Sequence, residues 1–265
     1  MPSKGTTRRI GLARALSKLG YCSRSQAAEL IAVGRVRLNG VTSRDPEAPV
    51  CPEKDRIAVD GEAIEPQSRV YLMINKPRGL VTTASDEKGR ETVYSVLAGK
   101  ALPWLAPIGR LDKASEGLLL LTNDSEWGAR VAAPKTHLEK TYHVQMNAVS
   151  GGELADALMK GVNSDNGEIL RAAQARLLRS GEKNCWLEIV LDEGKNRQIR
   201  RMLAALRVEV LRLVRVAIGP LQLGTLAKGT HRPLTREEKL SLDRAMVEGE
   251  PRSAHGGRRT TRMLV

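Results

Sequence analysis

Hydrophobic positions at the start of the chain recur at helical spacing. Ile10, Ala13, Leu16 and Leu19 share one face, and Gly20 can end that helix. Ser23 with Gln26 three residues later is a capping-box signal for a second helix, closed by Gly34. The pattern then switches to alternation in Arg35-Val36-Arg37-Leu38, followed by the hairpin signal Asn39-Gly40. Ile57 and Val59 precede a second tight turn at Asp60-Gly61. The first 66 residues therefore read as helix, helix and short strands. Glu65-Pro66-Gln67-Ser68 is a polar break.

A larger unit follows. Val70 to Ile74 is strand-like and runs into a turn, Asn75-Lys76-Pro77-Arg78-Gly79. Gly117 to Thr122 is a Leu-rich run that reads as a buried strand. Asp124 can cap a helix through Val131 that stops before Pro134. Thr141 to Met146 and Cys185 to Leu191 are strand-like, and Ser150 with Glu153 begins a helix that ends at Gly161. Ile199, Met202, Leu203 and Leu206 form another helix face. Strands and helices mix without a regular βαβ repeat, which predicts an α+β fold. Two domains are expected, at 8–66 and 69–245, with a basic tail over 246–265 that lacks a packed fold.

Composition narrows the function. The 265 residues include no Phe and only 3% aromatics, so the core must be aliphatic. The formal net charge is +13, an excess that attracts polyanions, nucleic acid foremost. No run approaches the ~18 apolar residues of a spanning helix, and no signal-peptide core is present, so a cytoplasmic location with no membrane partner is expected. Three scattered cysteines and four dispersed His predict neither a disulfide frame nor a metal.

The charge is clustered. Residues 1–44 carry nine Lys or Arg against Glu29 alone, whereas 45–65 carry seven acids against Lys54 and Arg56. A second basic block, 194–215, has seven cations opposed only by Glu209. A third is the tail, with Arg252, Arg258, Arg259 and Arg262. Clustering points to binding faces.

The segment Gly109 to Asp124, GRLDKASEGLLLLTND, puts an Arg and an Asp two residues apart in a loop before a buried strand. Residue pattern alone leaves two readings open. Asp112 is a turn residue paired with Arg110 or Lys113, or it is a reacting carboxylate held by a rigid strand.

Resemblance separates these readings. RIGLARALSKLGYCSRSQAAELIAVGRVRLNG resembles the S-four RNA-binding domain, which presents a basic surface to structured RNA. Arg14, Lys18, Arg24, Arg35 and Arg37 are then the candidate contacts. The GRLD segment is similar to the signature of the Rsu family of ribosomal RNA pseudouridine synthases. LMINKPRG (72–79), EKTYHV (139–144) and EGKNRQIRRML (193–203) resemble further motifs of that family, in the same order. Together these matches span about residues 8–240.

The resemblance implies a mixed, largely antiparallel sheet with flanking helices and a central cleft. It implies isomerisation of one uridine in structured ribosomal RNA, flipped out of its helix, with no cofactor. Asp112 matches the catalytic Asp and Tyr142 the Tyr that stacks on the base. Arg200 matches the cation that pairs with the Asp and keeps it charged. Arg110 matches a residue that enters the RNA helix as the base leaves, and Lys195 and Arg197 are phosphate contacts. The stretches Ile218 to Leu221 and Arg232 to Thr235 look more like large-subunit members. A monomer is the default. Two rivals remain at this stage: a non-catalytic ribosome assembly factor of the same fold, and a DNA-binding regulator, which the hairpin directly after the second helix fits poorly.

Overall fold

The computed structural model describes residues 9–84, 86–148 and 151–248. In the first module α1 (Leu12–Lys18) and α2 (Arg24–Ala32) pack together on a sheet of four short strands, with order 41–43, 36–38, 57–59, 62–63. Its core is aliphatic: Leu12, Leu16, Ile31, Val36, Val50, Ile57 and Val59. The expected capping box is present in both halves. Ser23 Oγ accepts from Gln26 N–H at 3.2 Å, and Ser23 N–H donates to Gln26 Oε1 at 3.1 Å. Asn39, Gly40, Asp60 and Gly61 are all left-handed, as two tight hairpins require.

The module touches the larger unit through backbone and charge. Trp104 N–H donates to Gly20 O at 2.8 Å, Gln67 N–H to Leu19 O at 3.3 Å, and Lys18 pairs with Glu126 at 2.6 Å.

The larger unit is built on one nine-stranded sheet. Its main order is Gln174–Ser180, Cys185–Leu191, Lys140–Met146, Val210–Ile218, Glu116–Thr122, Tyr71–Lys76, His231–Pro233. Strands 221–222 and 106–108 pair beside this path. All pairings in this sheet are antiparallel except one, where Val214 and Arg215 meet Glu116 and Gly117 in parallel.

Glu116–Thr122 is buried at every position. Leu118 and Leu120 face Trp127 of α3 (Ser125–Ala132) and Leu242 and Met246 of a C-terminal helix, whereas Leu119 and Leu121 face Val93, Leu105 and Leu111. A strand covered on both faces reads as an unbroken apolar run. α3 begins where the sequence predicts: Asp124 accepts from Trp127 N–H at 3.1 Å. The other half of the sheet packs on α4 (Gly151–Lys160) and α5 (Gln198–Ala205) through Leu158, Leu187, Ile189, Met202 and Leu203.

Several sequence expectations need correction. Asn75 and Lys76 end the strand rather than open a turn, and Gly79 carries the left-handed conformation. A helix not read from the sequence, α6 (Arg236–Glu248), closes the fold. It runs past residue 246, where the tail was expected to begin. Residues 249–265 and the proposed cap Ser150 lie outside the described residues.

Candidate active site

The one parallel junction fixes the site. Gly117 has φ +103°, and a Cβ there would lie 2.2 Å from Arg215 O. Only glycine permits this approach. The GRLD loop enters the strand at this point, so Asp112 sits beside the seam between the two halves of the sheet.

Every backbone carbonyl from Leu111 to Ser115 accepts a hydrogen bond. Thr82 Oγ1 donates to Leu111 O at 2.7 Å, and Gly79 N–H donates to Lys113 O at 2.8 Å. Lys76 Nζ donates to Asp112 O at 3.1 Å and to Ser115 O at 2.8 Å, and also reaches Pro77 O at 3.1 Å. Ser115 N–H shares Asp112 O at 2.9 Å. Arg200 Nη2 donates to Ala114 O at 3.1 Å. Lys76 is 0% exposed. Burial lowers its ammonium to about 8, against the opposing pull of Asp112 and Glu116. The buried cation thus holds the loop by its carbonyls, and Asp112 keeps its carboxylate free of that bond.

Asp112 projects into a cleft of about 350 Å³, its side chain 35% exposed. The cleft is lined by Tyr142, Lys140, Leu213, Ile218, Arg215 and the 193–200 segment. Buried Gln198 shapes that segment: its Nε2 donates to Arg171 O at 3.1 Å and to Glu193 Oε1 at 2.8 Å. Cations outnumber acids around the cleft. Burial and the neighbouring Arg215 lower Lys140, while Asp192 opposes them. Burial lowers Arg200, as do Arg197 and Arg78, against Asp112.

The structure brings Asp112, Tyr142, Arg200, Arg110, Lys195 and Arg197 to one cleft. It does not show the direct Asp112–Arg200 pair that the motif implies. Asp112 Oδ2 instead meets Arg197 Nη1 at 3.4 Å. Arg197 caps α5 in a left-handed conformation and is exposed. Arg200 lies inside the helix, half-buried, and spends its resolved bond on the loop backbone. Arg201 turns away to Glu168, Ser164 and Asn166. Lys195 pairs with Glu193 at 3.0 Å and Glu168 at 3.2 Å. Arg110 is exposed at the cleft mouth.

In the N-terminal module Arg14, Arg24 and Arg37 are exposed. Arg35 is engaged by Asp60, with Nε to Oδ1 at 2.8 Å, and Lys18 by Glu126.

Sequence reading missed Lys76, Lys140 and Arg215. For Arg215 a signal existed. Arg212 and Arg215 lie three apart on a strand, so they point to opposite faces and one of them must turn inward. Arg212 goes to Glu116 at 3.1 Å, and Arg215 goes into the cleft.

Among the described residues no group of three or more His, Cys, Asp or Glu could hold a metal, and no helix is long and apolar enough to cross a membrane.

Comparison with known proteins agrees with this architecture. Residues 70–205 match the RNA pseudouridylate synthase family and residues 10–57 the S4 domain. A Bacillus subtilis (strain 168) protein named ribosomal large subunit pseudouridine synthase B is 36% identical over 89% of this chain and 96% of its own length. A protein of Aquifex aeolicus (strain VF5), named an uncharacterized RNA pseudouridine synthase, is 36% identical over 87% of this chain and 92% of its own. A crystal structure of a pseudouridylate synthase superposes with a TM-score of 0.59, at 32% identity, over 88% of this chain and 99% of that one. With an RNA-binding module at one end and an anchored carboxylate loop at the seam of its sheet, the chain belongs to the RNA pseudouridine synthase family, enzymes of the isomerase class.

Proposed function

We propose that the protein converts one uridine of ribosomal RNA to pseudouridine, with Asp112 as the reacting carboxylate. The observation that carries this reading is the loop itself. Its five carbonyls from Leu111 to Ser115 are all held, so the Asp112 side chain is presented to the cleft from a fixed frame. Preorganised placement of this kind is what a positioned reacting group needs.

The reaction breaks the bond from ribose C1′ to the ring nitrogen, turns the base and joins C1′ to ring carbon five. A carboxylate serves it either by attack on C1′ or by removing a proton from the adjacent sugar carbon. Both need Asp112 as its carboxylate. Tyr142 offers a ring face to the flipped base, and exposed Arg110 is free to fill the gap in the RNA helix. The 10–57 module and Lys195 and Arg197 supply phosphate contacts. Similarity to the Bacillus protein, whose name specifies the large subunit, supports large-subunit RNA as the substrate. Such a substrate places the work in the cytoplasm.

Asp112→Asn tests the reading. Isomerisation in single turnover should fall by roughly 10³-fold or more, with RNA affinity within a few-fold of the parent. Multiple-turnover activity in a clean Asp112→Asn preparation would overturn it. Mapping pseudouridines in both ribosomal RNAs with and without the gene identifies the substrate.

A further inference from the structure

Among the described residues two buried side-chain nitrogens have no hydrogen-bond partner, Arg200 Nε and Arg215 Nη2. Both residues line the cleft that holds Asp112. Arg200 already has a task at the loop. Arg215 has none so far. It is 5% exposed, and its one resolved bond runs from Nε to Leu118 O at 2.7 Å. The buried acid nearest in register, Glu116, is taken by Arg212 and Lys228. A buried guanidinium without a carboxylate is costly, and a fold that keeps one has placed donors where something else must accept.

Its placement says what that is. Arg215 lies opposite Tyr142 on the neighbouring strand. The pairing shifts between Thr141 and Tyr142, with Val216 as the extra residue. The bulge sets Lys140, Tyr142 and Val144 against Ile218, Arg215 and Leu213 on one face. Arg215 therefore sits on the cleft floor beside the ring of Tyr142, while Lys195 and Arg197 stand exposed at the rim. A phosphate belongs at the rim. A base reaches the floor.

We propose that Arg215 donates to a carbonyl oxygen of the target uracil and stabilises the ring as it detaches, an inference that rests on the isomerase reading above. When the C1′–N1 bond breaks, the bonding pair stays with the ring. The detached uracilate carries its charge on the ring nitrogen and the two carbonyl oxygens. When C5 then bonds to C1′, the C5 hydrogen leaves as a proton and N1 takes one up, so composition is unchanged. A fixed donor aimed at an oxygen whose charge grows during bond breaking acts on the transition state more than on binding.

The test uses the full chain, with single-turnover rates for the parent, Arg215→Lys and Arg215→Met. The RNA carries uridine, 2-thiouridine or 4-thiouridine at the target. Arg215→Met should slow uridine conversion by about 10²–10³-fold, with RNA affinity within a few-fold. Sulfur accepts hydrogen bonds poorly, so one of the two thio substrates should slow the parent yet slow Arg215→Met no further. Arg215→Lys should fall between the two, and it keeps a buried cation if the Met variant does not fold. Parent-like rates in Arg215→Met, or equal thio effects in parent and both variants, would overturn the inference. So would a loss confined to RNA affinity, which would make Arg215 a phosphate contact. Asp112→Asn in the same assay separates the two claims. Turnover by Asp112→Asn refutes the assignment of Asp112, and a parent that converts no uridine refutes the isomerase reading, whereas an inert Asp112→Asn beside an active parent and a normal Arg215→Met refutes only this one.

Discussion

The N-terminal module and the Asp112 cleft draw on the same residue types in opposite ways. Arg14, Arg24 and Arg37 stand exposed on the module, and Arg35 and Lys18 are matched by carboxylates. Around the Asp112 loop and its cleft Lys76, Arg200 and Arg215 are buried or half-buried and end on backbone carbonyls, with no carboxylate among the described residues within ion-pair distance. Exposed charges act through water over about a Debye length and are screened by salt. Buried ones act at contact range and resist screening. The first arrangement suits capture of a polyanion. The second fixes geometry and leaves Asp112 un-neutralised by the residues that position it.

The contrast can be broken at several points. The largest effect is expected at Arg200. Arg200→Met should lower the single-turnover rate about 10²–10³-fold, because it frees Ala114 O and removes the buried cation, while Arg200→Lys should retain part of the activity. Arg197→Met removes an exposed, 3.4 Å contact and should cost about tenfold or less. Should Arg197→Met prove the more damaging, the direct contact and not the loop anchor holds the carboxylate in place.

Lys76 comes next. Burial depresses its pKa, so the folded chain releases this proton near 8 while the unfolded chain holds it to about 10.5. Between those values the unfolded state binds more protons, and stability rises with pH. Denaturant titration at pH 7.5 and 9.5 should show the parent gaining ~1–2 kcal/mol relative to Lys76→Met. The parent's rate should fall over the same window. A neutral amine has two N–H bonds for the three carbonyls that Lys76 serves. A stability change of opposite sign would mean that the charge itself is needed for folding.

The smallest effects belong to the module. Replacing Arg14, Arg24 and Arg37 together by Gln should weaken RNA binding and reduce the salt slope by about two to three units, with the rate at saturating RNA unchanged. Arg35→Gln, whose charge Asp60 already offsets, should change affinity about twofold or less. Equal effects from Arg35 and from an exposed arginine would erase the distinction between engaged and free surface cations.

Local signals carried most of the secondary structure. The Ser23 capping box, the two left-handed hairpin turns and the Asp124 cap each depend on a few adjacent residues, so they were legible. α6 was not read, although Thr235 and Glu238 form a reciprocal cap, with Glu238 N–H to Thr235 Oγ1 at 3.1 Å and Thr235 N–H to Glu238 Oε2 at 2.8 Å. Its helix buries only Leu242 and Met246, while Leu240 and Val247 are exposed, so periodicity gave little. In the cleft, motif resemblance located the loop and the 193–203 segment. It named Arg200 as the partner of Asp112, whereas Arg197 makes the contact, because the pairing depends on where the helix cap falls. Lys76 looked like a turn residue, since nothing local reveals that three carbonyls converge on its ammonium at a strand end.

The sheet order has a consequence for when the protein becomes active as it is made. The module's last strand ends at Ala63, so this part can fold early in synthesis. The cleft cannot. Its floor needs Val210–Ile218 laid against Glu116–Thr122, and the strand that carries Lys76 is edged by His231–Pro233. An emerging chain therefore acquires a grip on RNA well before it acquires chemistry. A chain that stops short of its last strands would be a binder without a reaction, able to occupy the RNA that the finished enzyme must reach.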